Sequence, residues 1–212
     1  MSSTLRIAIA VLVAVTAAVA GMWLARERAP VPVVLDHATL FPAGRPLPAF
    51  DLVDQLGSPF GPERLRGRWS ILFFGFTQCP DVCPSTLATL AAARRELADL
   101  PAAERPTVVL VSVDPQRDTV ARLAEYVRFF DPTFTGVTGD PAALAAFTRE
   151  LGVAVIVGEP DAAGQYTIDH TATLFLIDPA GSLAAVFGTP HTPEGIAQDY
   201  RRILEYASRS RR

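Results

Sequence analysis

The sequence predicts an α/β sandwich built on a mixed sheet and preceded by a membrane-spanning helix. Three observations carry this. The run from Ile7 to Ala25 holds no charged side chain over nineteen residues, just enough helix to cross a bilayer. From about residue 49 onward, apolar strand-like runs alternate with helix-period segments, the pattern of parallel strands joined by helices. Nearer the C-terminus two apolar runs flank Asp178-Pro179-Ala180-Gly181, a hairpin signature, so the sheet must also hold an antiparallel pair.

Of 212 residues, roughly 180 lie beyond the apolar segment, enough for one domain with a full core and no disulfide staples. A formal net charge of -3 gives no general pull toward nucleic acid or anionic lipid, and no nucleic-acid partner is expected. All 19 basic residues are Arg, and the cluster Arg64-Leu65-Arg66-Gly67-Arg68 reads as solvated surface. Arg6 precedes the apolar run and Arg26-Glu27-Arg28 follows it, which does not settle orientation. Residues 1–28 are expected to be an uncleaved membrane anchor. A secretory signal is the rival reading, since Ala18-Val19-Ala20 offers a small-residue cleavage site. A buried core helix is disfavoured by the extreme N-terminal position and by the Pro-rich stretch that follows. That stretch, residues 29–48, reads as a tether. Both membrane readings carry the globular part across a bilayer.

The globular domain is expected over residues 49–207, with a basic tail over 208–212. Ala49-Phe50-Asp51-Leu52-Val53 alternates like a strand and Gln55-Leu56-Gly57-Ser58 supplies its turn. Ile71-Leu72-Phe73-Phe74-Gly75-Phe76 marks a buried strand at 70–76. Pro84 suits a first helical position and opens a helix to Leu100, with Leu87, Leu90, Ala91, Arg94 and Leu97 at helical spacing. Val108 to Val113 is a second buried strand. Asp118 and Thr119 are N-cap candidates for a helix carrying Leu123, Tyr126, Val127 and Phe130. Asp140-Pro141 opens a helix to Leu151. Val153 to Val157 is a short strand and Gly158 to Gln165 a polar loop. Leu174 to Ile177 and Leu183 to Phe187 make the hairpin, and Thr192-Pro193-Glu194 starts a closing helix to about Ala207. No internal repeat is visible. The order resembles the thioredoxin fold: a thioredoxin-like sandwich with a mixed central sheet, preceded by an N-terminal transmembrane helix.

The two cysteines of the chain stand in Cys79-Pro80-Asp81-Val82-Cys83, where a strand hands over to a helix. Unpaired backbone N–H groups and the helix dipole at that end favour thiolate, which predicts an exposed redox or metal turn. Among the histidines, His37 lies in the tether and reads as surface, and His191 near a helix start reads as surface or cap. His170 differs, because it directly precedes the apolar strand 173–177. Ligands gather outside the carboxyl ends of parallel strands, where the thiols lie. If strand 173–177 runs antiparallel to strand 70–76, His170 reaches the same edge, although 87 residues separate it from Cys83. Two thiolates and an imidazole make a three-coordinate soft site that suits Cu(I). Zinc usually takes a fourth ligand, and there is no third Cys. Asp81, between the thiols, reads equally as a charge-tuning group or as surface. A structural disulfide here closes a short loop worth only ~2 kcal/mol, which a domain of this size does not need. A metal-free dithiol stays open. The thioredoxin-type pair has two residues between its thiols and this one has three, so His170 separates the readings.

Three blocks of the chain, Phe74-Gly75-Phe76-Thr77-Gln78-Cys79-Pro80-Asp81-Val82-Cys83-Pro84, Val111-Ser112-Val113-Asp114-Pro115-Gln116-Arg117-Asp118-Thr119 and Ile168-Asp169-His170-Thr171, resemble the signature blocks of the Sco/SenC family in family order. These proteins are copper chaperones for cytochrome c oxidase assembly, and the similarity covers residues 48–205. The resemblance implies copper held by Cys79, Cys83 and His170, with Cu(I) favoured over Cu(II). It implies delivery of that copper to, or thiol reduction of, the binuclear centre on cytochrome c oxidase subunit II. Cys79 and Cys83 then also form a redox-active dithiol that a thiol reductant or thioredoxin-like partner resets. The implied location is the periplasmic, extracytoplasmic side of a bacterial inner membrane. Thioredoxins set a cis-proline opposite their dithiol, and the comparable position here is Ala172. Asp114 fits loop bracing or a place behind the ligands and is not counted among them.

Three functions compete. A metallochaperone is not an enzyme in the turnover sense. A membrane-tethered thiol–disulfide oxidoreductase, or a redox sensor without obligatory metal, uses the dithiol but gives His170 no clear task. A peroxidase-like thiol enzyme needs a peroxide-activating Thr/Arg setting that is not identifiable in the sequence.

Overall fold

The computed structural model describes residues 3–27 and 33–210. The ends of the expected anchor, tether residues 29–32 and the last two residues of the basic tail lie outside the described residues. Helix α1 (Ser3–Glu27) contains the stretch Ser3–Trp23, whose mean hydropathy of 2.2 and length suffice to cross a membrane. Thr16, midway along it, donates its hydroxyl back to Leu12 O and Val13 O, each at 3.0 Å. That hydroxyl therefore needs no partner outside the helix.

The globular domain is built on an eight-stranded sheet in the order β1 (Ala38–Pro46), β10 (Ser182–Phe187), β9 (Leu174–Ile177), β4 (Ser70–Gly75), β5 (Thr107–Ser112), β6 (Thr135–Thr138), β2 (Leu52–Asp54), β3 (Pro59–Phe60). β4 runs parallel to β5 and antiparallel to β9. The sheet is therefore mixed, and the strand after His170 has the direction the site requires. Every residue of β4 is buried, as expected of a strand covered on both faces. On one face Phe74 packs against Phe147 of helix α4 (Pro141–Leu151), with ring centroids 5.7 Å apart. On the other, Gly75 lies against Cys83 of helix α2 (Val82–Glu96). Helix α3 (Val120–Phe130) presses on β6, where a Cβ at Gly136 would come within 3.0 Å of the Leu123 Cβ. Helix α5 (Pro193–Ser210) contributes Tyr200, fully buried and edge-on to Trp69.

Several boundaries differ from expectation, each for a local reason. α2 starts at Val82, so Pro84 is its third residue rather than its first, and it ends at Glu96, short of Leu100. Thr119 is the cap of α3, accepting from the Arg122 amide at 3.2 Å, while Asp118 turns inward. Asp140 caps α4 as expected, accepting from the Ala142 and Ala143 amides. The expected tether is not all tether: its second half is the edge strand β1, paired with β10. Asp199 of α5, fully buried, accepts the amide N–H groups of Asp36, His37 and Ala38 at 3.2, 2.7 and 3.0 Å. That buried carboxylate pins the strand's entry, which no local pattern in the Pro-rich segment announces. β3 and β6 were not expected, being two and four residues long. The strand expected at 153–157 is β7 (Val155–Val157), which among the described residues pairs only with β8 (Ile168–His170) in a separate two-stranded sheet. α5 continues to Ser210, through the start of the expected basic tail.

Candidate metal centre

Cys79, Cys83 and His170 meet at the carboxyl end of β4. Cys79 sits in the turn after the strand, where its amide donates to Phe76 O at 3.3 Å. Cys83 lies in the first turn of α2, and its amide donates to the Cys79 sulfur at 3.3 Å. That sulfur thus does the work of a cap, because the α2 cap residue Asp81 makes no side-chain cap bond. Asp81 is exposed and its carboxylate accepts from the Ser85 hydroxyl at 3.4 Å, so the surface reading fits it. His170 arrives at the end of β8 and places Nε2 3.3 Å from the Cys83 sulfur. The two sulfurs and a ring nitrogen all lie within 4.8 Å of one another.

The tautomer of His170 follows from its second nitrogen. Nδ1 lies 3.1 Å from Thr171 O, and a carbonyl can only accept, so in the neutral ring Nδ1 carries the proton and Nε2 presents its lone pair. Metal–sulfur and metal–nitrogen bonds near 2.3 and 2.0 Å, on the scale of zinc's, set such donors about 4 Å apart. The donor set therefore fits a soft, low-coordinate ion with little rearrangement. The imidazole is held edge-on by two rings, Phe73 and Phe76, each with its centroid 6.0 Å away. Gly75 is glycine for a steric reason, since a Cβ there would come within 3.0 Å of the Cys83 sulfur and 3.1 Å of the Phe73 ring.

One expectation is overturned. The turn does not hold two exposed, dipole-activated thiols, because Cys83 is fully buried and only Cys79 is half-exposed. Desolvation pushes the Cys83 thiol well above its ordinary range, with the hydrogen bond to Cys79 adding in the same direction. At this position burial outweighs the helix N-terminus. Alkylation of the reduced protein at neutral pH should therefore modify Cys79 at least about 10-fold faster than Cys83, read by peptide mass spectrometry. Equal rates at the two thiols would contradict the burial.

Sequence reasoning missed much of what supports the ligands. Asp118, expected as a cap, lies buried beneath the thiol turn. It accepts from the Thr77 amide at 3.1 Å, the Thr77 hydroxyl at 2.5 Å and the Ser112 hydroxyl at 2.7 Å. Burial raises its pKa, only partly offset by those hydrogen bonds. His191, expected as surface or cap, donates from Nε2 to Ala172 O at 2.8 Å and so braces the strand entry after His170. The cis peptide bond found among the described residues is Thr189-Pro190, just before His191, and not at Ala172. Asp114 accepts from the Tyr166 hydroxyl at 2.7 Å and pairs with Arg117, a bracing role that leaves it outside the ligand cluster. Of the basic cluster at 64–68, Arg64 pairs with Asp54 at 3.3 Å. The Asp118 contacts had one legible signal: an Asp just before a Thr cap is redundant as a cap and available for another task.

The family model described as SCO1/SenC matches residues 42–205. A Stutzerimonas stutzeri protein whose given name refers to copper binding is 39% identical over 176 residues, covering 81% of this chain and 84% of its own. The copper-bound crystal structure of Arabidopsis thaliana ScoI superposes with a TM-score of 0.70 at 32% identity, covering 75% of this chain and 98% of that one. Copper-bound Bradyrhizobium japonicum ScoI gives a TM-score of 0.67 at 36% identity, covering 75% and 99%. The chain spans 61% of the length of the mouse mitochondrial SCO2 homologue, to which it is 35% identical over 155 residues.

Proposed function

The chain belongs to the SCO1/SenC family, and from that premise we propose that it is a membrane-tethered copper metallochaperone whose cargo is held by Cys79, Cys83 and His170. The carrying observation is the convergence of two sulfurs and an imidazole nitrogen within 4.8 Å of one another. Thiolate donors at low coordination favour Cu(I) over harder ions, and Cu(II) is the weaker fit. Copper-bound relatives at 32% and 36% identity support the same cargo. The family resemblance supports delivery to the binuclear centre of cytochrome c oxidase subunit II as the task of that cargo. The apolar helix α1 suits an anchor, and we place the domain on the extracytoplasmic side of a bacterial inner membrane.

Cys79, the more exposed sulfur, is the natural first point of exchange with an acceptor, while the buried Cys83 and the half-buried His170 keep hold. The same accessibility favours a second reading, in which Cys79 attacks a disulfide on the partner and Cys83 resolves it. The two thiols are then oxidised to a Cys79–Cys83 disulfide as the partner's is reduced, and a thiol reductant restores the pair. The two activities share one condition, because a disulfide sulfur is a poor ligand. Copper titration of the reduced and oxidised protein is expected to show tight 1:1 binding only when the dithiol is reduced. Equal affinity in both states would overturn the proposed site.

A further inference from the structure

His170 is carried by a hairpin that the main sheet does not hold. β7 and β8 pair only with each other, and a two-stranded ribbon is marginal by itself. Between this hairpin and α4 lies a cleft of about 750 Å³, lined by apolar side chains that include Leu144, Val153, Val155 and Ile168. Close packing on that side is incomplete, so the polar fastenings carry more of the attachment.

Those fastenings gather on Arg117, in the loop after β5. Its Nη1 donates to Tyr166 O at 3.0 Å and its Nε donates to the Asp114 carboxylate. Its guanidinium carbon lies 3.7 Å from the centroid of the Tyr166 ring, and the Tyr166 hydroxyl donates to the other oxygen of Asp114 at 2.7 Å. The same guanidinium sits 5.8 Å from the centroid of Phe76, whose ring contacts the His170 imidazole. Tyr166, Arg117, Phe76 and His170 thus form one column from the hairpin's entry to the ligand.

Resting on the reading of His170 as a copper ligand, we infer that Arg117 is a positioning residue for that ligand, clamping the hairpin through Tyr166 and Asp114 so that Nε2 stays on Cys83 before any metal binds. A planar fork that stacks on one ring and bonds to a carboxylate and a carbonyl at once is a task for arginine and not for lysine. The functional consequence is arithmetic: apparent affinity is the intrinsic affinity multiplied by the fraction of molecules in which the hairpin is closed.

The test uses detergent-solubilised full-length protein without metal. In R117L, amide exchange over residues 166–171 should accelerate by about 10-fold or more, while exchange in β4 and β5 stays unchanged. Y166L, which leaves the Arg117–Asp114 pair intact, should loosen the same segment, and R117K should fall between wild type and R117L. Cu(I) affinity should drop about 10-fold in R117L, and the substitution should cost nothing further in an H170A background. An unchanged hairpin, or exchange raised equally throughout the domain in both variants, overturns the clamp. A normal R117L affinity beside a loosened hairpin also overturns its positioning role. If H170A itself binds Cu(I) as wild type does, the ligand assignment fails while the exchange data still judge the clamp.

Discussion

Replacing Cys83 with serine is expected to weaken Cu(I) binding by at least about 100-fold while leaving the domain folded. Even outer partners of metal ligands cost about 10–100-fold when removed, and here a soft thiolate donor itself is exchanged for a hard hydroxyl. The fold should tolerate the change. Serine is smaller than cysteine, its pocket is bounded by Gly75, and its hydroxyl can donate to the Nε2 that now lies 3.3 Å from the sulfur. A competition titration against a chromophoric Cu(I) chelator measures the first effect, and thermal unfolding followed by circular dichroism measures the second. Cys79→Ser should act in the same direction. Retained affinity in either variant would remove that sulfur from the donor set.

The second large effect is expected at Asp118, which touches neither sulfur. Asp118→Ala leaves the Thr77 amide, the Thr77 hydroxyl and the Ser112 hydroxyl without their acceptor under the thiol turn. Buried donors without a partner cost about 1–3 kcal/mol each and do not sum fully, so a loss of about 3 kcal/mol is expected in chemical unfolding. The turn that carries Cys79 should loosen with it and copper affinity should fall too. Asp118→Asn keeps one acceptor oxygen for Thr77 and should recover most of the stability. The acid itself has a pH signature. Burial holds its pKa above the ordinary 3.8, so the native state binds this proton more tightly than the unfolded chain. Its stabilising contribution is therefore full below that value and fades as pH rises through the raised one. Asp118→Asn should flatten the unfolding free energy across that window. An unaltered pH profile would show that the carboxyl does not titrate between the two states.

What was legible in the sequence tracks how local the controlling physics is. The apolar run before Cys79, the cap at Asp140 and the hairpin turn at Asp178-Pro179-Ala180-Gly181 each specify an element within a few residues, and each is found. The pairing of His170 with the thiols was reachable by one topological step, the antiparallel direction of β9 relative to β4. Beyond that, short-range patterns offer no purchase. The residues around Ala38 to Pro46 look like a linker because their partners, strand β10 and Asp199, come from the far end of the chain. The strand at 155–157 is apolar enough for the main sheet yet lies outside it, since its only partner is the strand that ends in His170.

The chain alone determined its class, its candidate anchor, and the identity and number of the soft donors, because composition and short-range periodicity set these. Only the tertiary structure decided that Cys83 is buried and proton-holding instead of exposed and activated, and that Asp118 and Arg117 serve the site from beneath and beside it. The physical reason is that desolvation and hydrogen-bond partnership depend on what the rest of the chain brings within a few ångströms, which spacing along the sequence does not encode.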